Sequence, residues 1–141
     1  MAQAEIKEVL SVDSEKLFQV ITDYENYPDF VDACSGTKVG KREGGKVQVT
    51  YSVNLIKEVS YTLEHIENKE AGTMSWRLVS SEFLKKNTGS WKIKALGPGK
   101  CEVLYNLEIE FKIPVPGLIL NSLVKKSLPG MMRNFEKRAK T

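Results

Sequence analysis

Few side chains in this sequence are reactive. There is one histidine, His65, and two cysteines, Cys34 and Cys101. A lone histidine excludes a His-rich metal centre. Two distant cysteines without CxxC spacing do not make a structural zinc site. Any Ser-His-Asp or Cys-His relay would have to run through His65. An acid/base role there needs a partner within hydrogen-bond reach, and the sequence nominates none. His65 falls near the end of an alternating run, so it is expected close to solvent. Cys34 and Cys101 read as small buried hydrophobes. No catalytic residue, metal or cofactor is assigned.

Gly40-Lys-Arg-Glu-Gly-Gly-Lys46 has the G-x-x-x-x-G-K spacing of a phosphate loop. Val47 stands where Ser or Thr would hold magnesium. Residues 47–55 alternate like a strand, so no helix N-terminus awaits a phosphate. The segment reads as a basic β-hairpin. Lys126, Arg133, Lys137 and Lys140 form a stripe on a C-terminal helix. Most simply this is a solvated face; read functionally, it could touch an anionic membrane or the ribosome. A net charge of +3 over 141 residues does not imply nucleic acid, and no DNA partner is assigned.

A different set carries the chemistry of binding. Tyr51, Tyr61, Trp76, Trp91 and Tyr105 fall on five alternating runs, all in the inward phase. A buried phenol needs a hydrogen-bond partner, which a ligand carbonyl or hydroxyl could supply.

The elements that must hold these residues emerge from periodicity. Residues 4–12 read as a strand. Asp13 offers an N-cap for a helix over 14–24, with Leu17, Val20, Ile21 and Tyr24 on one face. Pro28 suits the first turn of a second short helix. The period then changes to two. Val47, Val49, Tyr51, Val53 and Leu55 alternate with polar residues, as do Val59, Tyr61, Leu63 and His65. Met74, Trp76 and Leu78 continue the pattern, followed by Trp91, Ile93 and Ala95 and by the run from Cys101 to Phe111. With Ser35–Lys41 this makes a meander of about six strands with one covered face. Arg77 alternates outward. Pro114-Val-Pro-Gly117 ends the last strand. Leu120, Val124, Leu128, Met131, Phe135 and Ala139 then make one stripe of a long helix, bent at Pro129-Gly130.

A chain of this length, 41% hydrophobic, can bury a core of its own as a single domain over residues 1–141. The N-terminus lacks the basic start and apolar run of a signal peptide. The longest apolar stretch, Ile113–Leu120, is too short and too rich in proline to span a bilayer. A cytoplasmic location is expected. An amphipathic sheet and an amphipathic helix must bury each other's apolar faces. The fold class is α+β: a curved antiparallel sheet of about seven strands wrapped around a long C-terminal helix, with two short helices after strand 1.

This element order resembles the START-like, or helix-grip, superfamily, which includes the polyketide cyclase/dehydrases. Asp23-Tyr-Glu-Asn-Tyr-Pro-Asp-Phe-Val31 looks like its helix–Pro–helix entry. Phe83–Trp91 is similar to its Gly-x-Trp strand, and Val124–Phe135 to its Pro-bent final helix. Tyr27–Val39, with Cys34, looks closest to the coenzyme Q-binding protein and ribosome-association toxin branch. The resemblance implies a hydrophobic cavity between sheet and helix. Its expected lining is Tyr51, Tyr61, Trp76, Trp91, Tyr105, Val124, Met131 and Phe135. The expected function is binding or transport of a hydrophobic small molecule: a lipid, an isoprenoid quinone or a polyketide-like compound. The alternatives are an aromatase/cyclase-type enzyme and a module that contacts ribosome or RNA through the basic stripe.

Overall fold

The computed structural model describes residues 2–54 and 57–141. Leu55 and Ile56, expected as a strand end and part of a turn, lie outside the described residues. Strand β1 (Ala2–Leu10) leads to helix α1 (Ser14–Ile21) and a 3-10 helix (Tyr24–Asp29). Six strands come next: β2 (Cys34–Glu43), β3 (Lys46–Asn54), β4 (Glu58–Asn68), β5 (Thr73–Ser81), β6 (Leu84–Gly97) and β7 (Lys100–Phe111). The chain ends in α2 (Gly117–Ser122), a π-helical segment (Leu123–Ser127) and α3 (Leu128–Ala139).

The sheet is antiparallel throughout, in the order β1-β7-β6-β5-β4-β3-β2. Its first strand closes against its last, so the meander is bracketed by pairing of residues 2–10 with 101–109. Irregularities at Cys34/Gly36, Val39/Arg42, Thr62/Leu63 and Leu84/Lys86 interrupt the ladders. Bulges of this kind bend a strand and raise its twist, which curves the sheet around the helix. The β5–β6 ladder is short, running only from Thr73–Lys92 to Trp76–Gly89. There Gly89 permits a close approach: a Cβ at that position would overlap the Trp76 indole and the Asn106 carbonyl.

Alternation decides what is inside. Val47, Val49, Tyr51 and Val53 of β3 are buried, as are Cys101, Val103, Tyr105, Leu107 and Ile109 of β7. Leu128, Met132, Phe135 and Ala139 of α3 meet them from the other side. Phe135 sits at the junction, its ring edge-on to Tyr27, Phe30 and Trp91 at 5.0–5.5 Å. α3 is clamped to β1 by a bidentate pair from Arg133 to Glu8 at 2.7 and 2.9 Å. Glu136 accepts from the Ser11 N–H at 3.0 Å.

Two local expectations change, at the end of α1 and at its cap, and three hold. α1 stops at Ile21, before Tyr24. Asp13 precedes α1, but its side chain does not cap it and accepts instead from the Gly99 N–H. The Gly40–Lys46 segment is a hairpin: Glu43 pairs with Lys46 across Gly44, whose φ of 59° suits glycine. Arg77 is exposed and paired with Glu64 at 3.1 Å. Cys34 and Cys101 are buried free thiols.

Candidate functional site

A cavity of about 280 Å³ lies between the concave sheet face and the C-terminal helices. That is near the lower end of the roughly 300–1,000 Å³ typical of ligand pockets. Cross-strand register builds its floor. Tyr51 of β3 lies opposite Tyr61 of β4, and their rings stack at 5.5 Å. His65 of β4 faces Trp76 of β5, and Trp91 of β6 faces Tyr105 of β7 with rings edge-on at 4.9 Å. Each pairing arises from two strands whose inward phases coincide. The roof comes from Leu123, Ser127, Leu128, Met131, Asn134 and Phe135. Tyr27, Val31, Asp32, Ala33 and Cys34 form one side.

Seven of the eight expected residues line this space: Tyr51, Tyr61, Trp76, Trp91, Tyr105, Met131 and Phe135. Val124 does not, and Leu123 takes its place. The cause is the π-helical segment, in which hydrogen bonds span five residues rather than four. The extra residue puts Leu123 and Leu128, five apart, on the cavity side.

His65 corrects the reading of a strand-end residue near solvent, for it is only 3% exposed and lines the cavity. Its Nε2 lies 2.7 Å from the Tyr51 hydroxyl and its Nδ1 3.1 Å from the Met74 sulfur. A thioether can only accept, so Nδ1 carries the proton and Nε2 accepts from Tyr51. The Tyr24 ring covers the imidazole at 4.4 Å. The Tyr24 hydroxyl in turn donates to Glu67 at 2.6 Å, and Glu67 pairs with Arg42 at 3.0 Å. Burial holds the His65 pKa down to about 3. Asn87, also not anticipated, accepts from the Trp76 indole N–H at 2.9 Å. An indole can only donate, so that contact claims the Asn87 oxygen and leaves its NH₂ as the unpaired end. The Tyr27 hydroxyl donates to the Ile21 carbonyl.

Among the described residues, neither the Tyr61 nor the Tyr105 hydroxyl has a protein hydrogen-bond partner. Neither is sealed in, because among the described residues no fully buried side-chain nitrogen or oxygen is left unpaired. Both face the cavity. Burial pushes the phenols of Tyr51, Tyr61 and Tyr105 and the Cys34 thiol up, so all remain protonated near neutral pH. Among the described residues no group of three His, Cys, Asp or Glu could hold a metal ion. The buried interior is therefore an apolar chamber with a few neutral polar groups, and the Asp32 carboxylate lies at its exposed edge.

A family profile described as polyketide cyclase/dehydrase and lipid transport matches residues 10–136. The chain belongs to that family. A member with this cavity suits hydrophobic ligand binding, or cyclase-type chemistry on such a ligand. Among relatives, the ribosome association toxin RatA of Escherichia coli is 26% identical over 129 residues, which is 90% of this chain and 80% of that protein. RatA of Vibrio cholerae is 28% identical over 142 residues, covering 99% and 96%. A START superfamily protein from Mycobacterium smegmatis superposes with a TM-score of 0.85 at 18% identity, covering 99% and 98% of the two chains. The Zhui aromatase/cyclase from Streptomyces does so at 0.86 and 10% identity, covering 98% and 93%. At those identities the structures establish the helix-grip fold alone. Among the described residues no helix is long and apolar enough to cross a membrane.

Proposed function

We propose that this family member is a non-catalytic carrier of an apolar small molecule that bears acceptor oxygens, such as an isoprenoid quinone, a polyketide-like compound or a lipid carbonyl. The observation that carries this is the polarity of the unpaired groups in the cavity. Tyr51 spends its proton on His65, and Asn87 spends its oxygen on Trp76. On the sheet side of the wall the groups left are the Asn87 NH₂ and the Tyr61 and Tyr105 hydroxyls, while Ser127 and Asn134 belong to the helical roof. A hydrocarbon that covers these sheet-side donors leaves them without an acceptor, which is costly, whereas a carbonyl-bearing ligand supplies one. Catalysis is disfavoured because His65 is neutral, its Nε2 is occupied and it takes up a proton only near pH 3, far from the poise an acid/base catalyst needs.

Calorimetric titration with matched pairs tests the reading: a fused-ring ketone or quinone against its hydrocarbon. The ketone should bind more tightly by about tenfold, the equivalent of roughly 1.4 kcal/mol. Tyr61→Phe with Tyr105→Phe should shrink the difference, leaving only the share that the Asn87 NH₂ supplies. Failure of both compounds to bind below about 100 μM, roughly −5.5 kcal/mol, would remove the carrier reading.

A second reading, ribosome association, is supported by the names of the relatives and by the exposed Lys126, Lys137 and Lys140. Arg133 of the same stripe is engaged by Glu8. Co-sedimentation with ribosomes, compared between the intact protein and a Lys126→Ala/Lys137→Ala/Lys140→Ala variant, tests it.

A further inference from the structure

Helix α2 and the π-helical segment together span residues 117–127, and neither buries a single residue. Their sequence is not that of a solvated helix. Gly-Leu-Ile-Leu-Asn-Ser-Leu-Val opens the run, preceded by Ile113-Pro-Val-Pro. Leu118 is 84% exposed, Ile113 47% and Ile119 39%. An amphipathic helix normally turns such side chains onto the core. Here the tip carries them away from it, as an exposed apolar patch that calls for a partner.

Charge identifies the partner. Between Glu110 and Glu136 the chain has no acidic residue, and it carries Lys112, Lys125, Lys126 and Arg133. Two of the four have partners within the protein: Lys112 donates to the Ser81 carbonyl at 2.8 Å and Arg133 pairs with Glu8. Lys125 and Lys126 are exposed, two turns beyond Leu118 on the same run. Aliphatic side chains flanked by lysines match the acyl boundary and the phosphates of an anionic leaflet. RNA is the poorer fit, since the tip has no aromatic ring to stack on a base and no free guanidinium. A second copy is a poorer fit too, because two such tips present like charges to each other.

The same run roofs the cavity through Leu123 and Ser127. We propose that the α2 tip, with Leu118 and Ile119 inserted and Lys125 and Lys126 on the headgroups, docks the protein on an anionic lipid bilayer beside the cavity roof. Docking itself does not depend on what the cavity holds, so it can be tested without a ligand.

The experiment is flotation of the intact protein with vesicles of phosphatidylcholine alone and of phosphatidylcholine mixed with phosphatidylserine. The protein should float with the mixed vesicles and not with the neutral ones, less so as salt is raised. Leu118→Ser should cut binding by about fivefold or more, and Lys125→Ala/Lys126→Ala by a similar factor, as expected when insertion and charge act together. Lys137→Ala/Lys140→Ala should leave it unchanged. All three variants alter exposed residues, so unchanged thermal melts are expected and serve as the control for folding. No flotation with mixed vesicles overturns the proposal. So does binding that survives Leu118→Ser but falls with Lys137→Ala/Lys140→Ala, which would place the contact on α3. Ribosome co-sedimentation or self-association abolished by Leu118→Ser would assign the tip to a different occupant and overturn it equally.

Discussion

At His65, packing against Tyr24, Tyr51 and Trp76 removes the water that would solvate an imidazolium. The pKa falls to about 3 in the fold, whereas an unfolded chain titrates its histidine near 6.5. Below pH 6.5 the unfolded state therefore holds a proton that the native state refuses. Stability rises with pH through this window, by at most about 1.4 kcal/mol per unit, and is flat in this respect above it. Urea unfolding of the wild type and of His65→Leu between pH 4 and 7 checks this, since the difference between the two should carry that slope. A parallel pair of curves would mean that His65 is solvated. Tyr51→Phe leaves Nε2 without its donor and should cost about 1–3 kcal/mol at neutral pH by the same measurement. The place of His65 was legible in the sequence. It shares the phase of Val59, Tyr61 and Leu63, and only its place near the end of that run argued for solvent, whereas β4 continues to Asn68. Asn87 was harder, because Leu84-Lys-Lys-Asn-Thr-Gly-Ser lacks the β-branched alternation that marks the rest of β6.

The C-terminal run shows what periodicity misses at the scale of an element. A spacing of four selects Val124, while the π-helical segment selects Leu123, and no Gly or Pro within residues 123–127 announces the inserted residue. The two readings separate experimentally. Leu123→Glu should weaken ligand binding strongly, and Val124→Glu much less, because only the first places a carboxylate in the apolar chamber. Equal loss in both, measured by titration alongside a thermal melt, would argue against the observed register. α3 itself is indispensable. Removing residues 128–141 deletes Leu128, Met132 and Phe135 from the core. At roughly 1.5–3 kcal/mol for each large apolar side chain, the loss rivals the roughly 5–15 kcal/mol that hold a typical domain together. The shortened chain should show no cooperative transition in circular dichroism.

For the whole molecule, the architecture was written in the alternation of its strands and in one helical stripe, and those two patterns admit few arrangements besides a sheet closed over a helix. The cavity was not written there. Its volume depends on where aromatic rings tilt and where the β5–β6 ladder parts, which no spacing rule specifies. The phosphate-loop spacing likewise dissolves in context, since Lys46 is an exposed strand residue beside Gly44-Gly45. ATP should therefore leave the melting temperature unchanged, in the wild type and in Lys46→Ala alike, because only a ligand that binds the native state raises it. The chamber wall has a use beyond affinity. The chain has two tryptophans, and both Trp76 and Trp91 belong to that wall. No indole elsewhere contributes a background. Light absorbed near the red edge of the protein band is thus emitted only from the binding site, and a conjugated guest lodged between these rings would dim or recolour the entire emission. The protein carries its own optical gauge of occupancy.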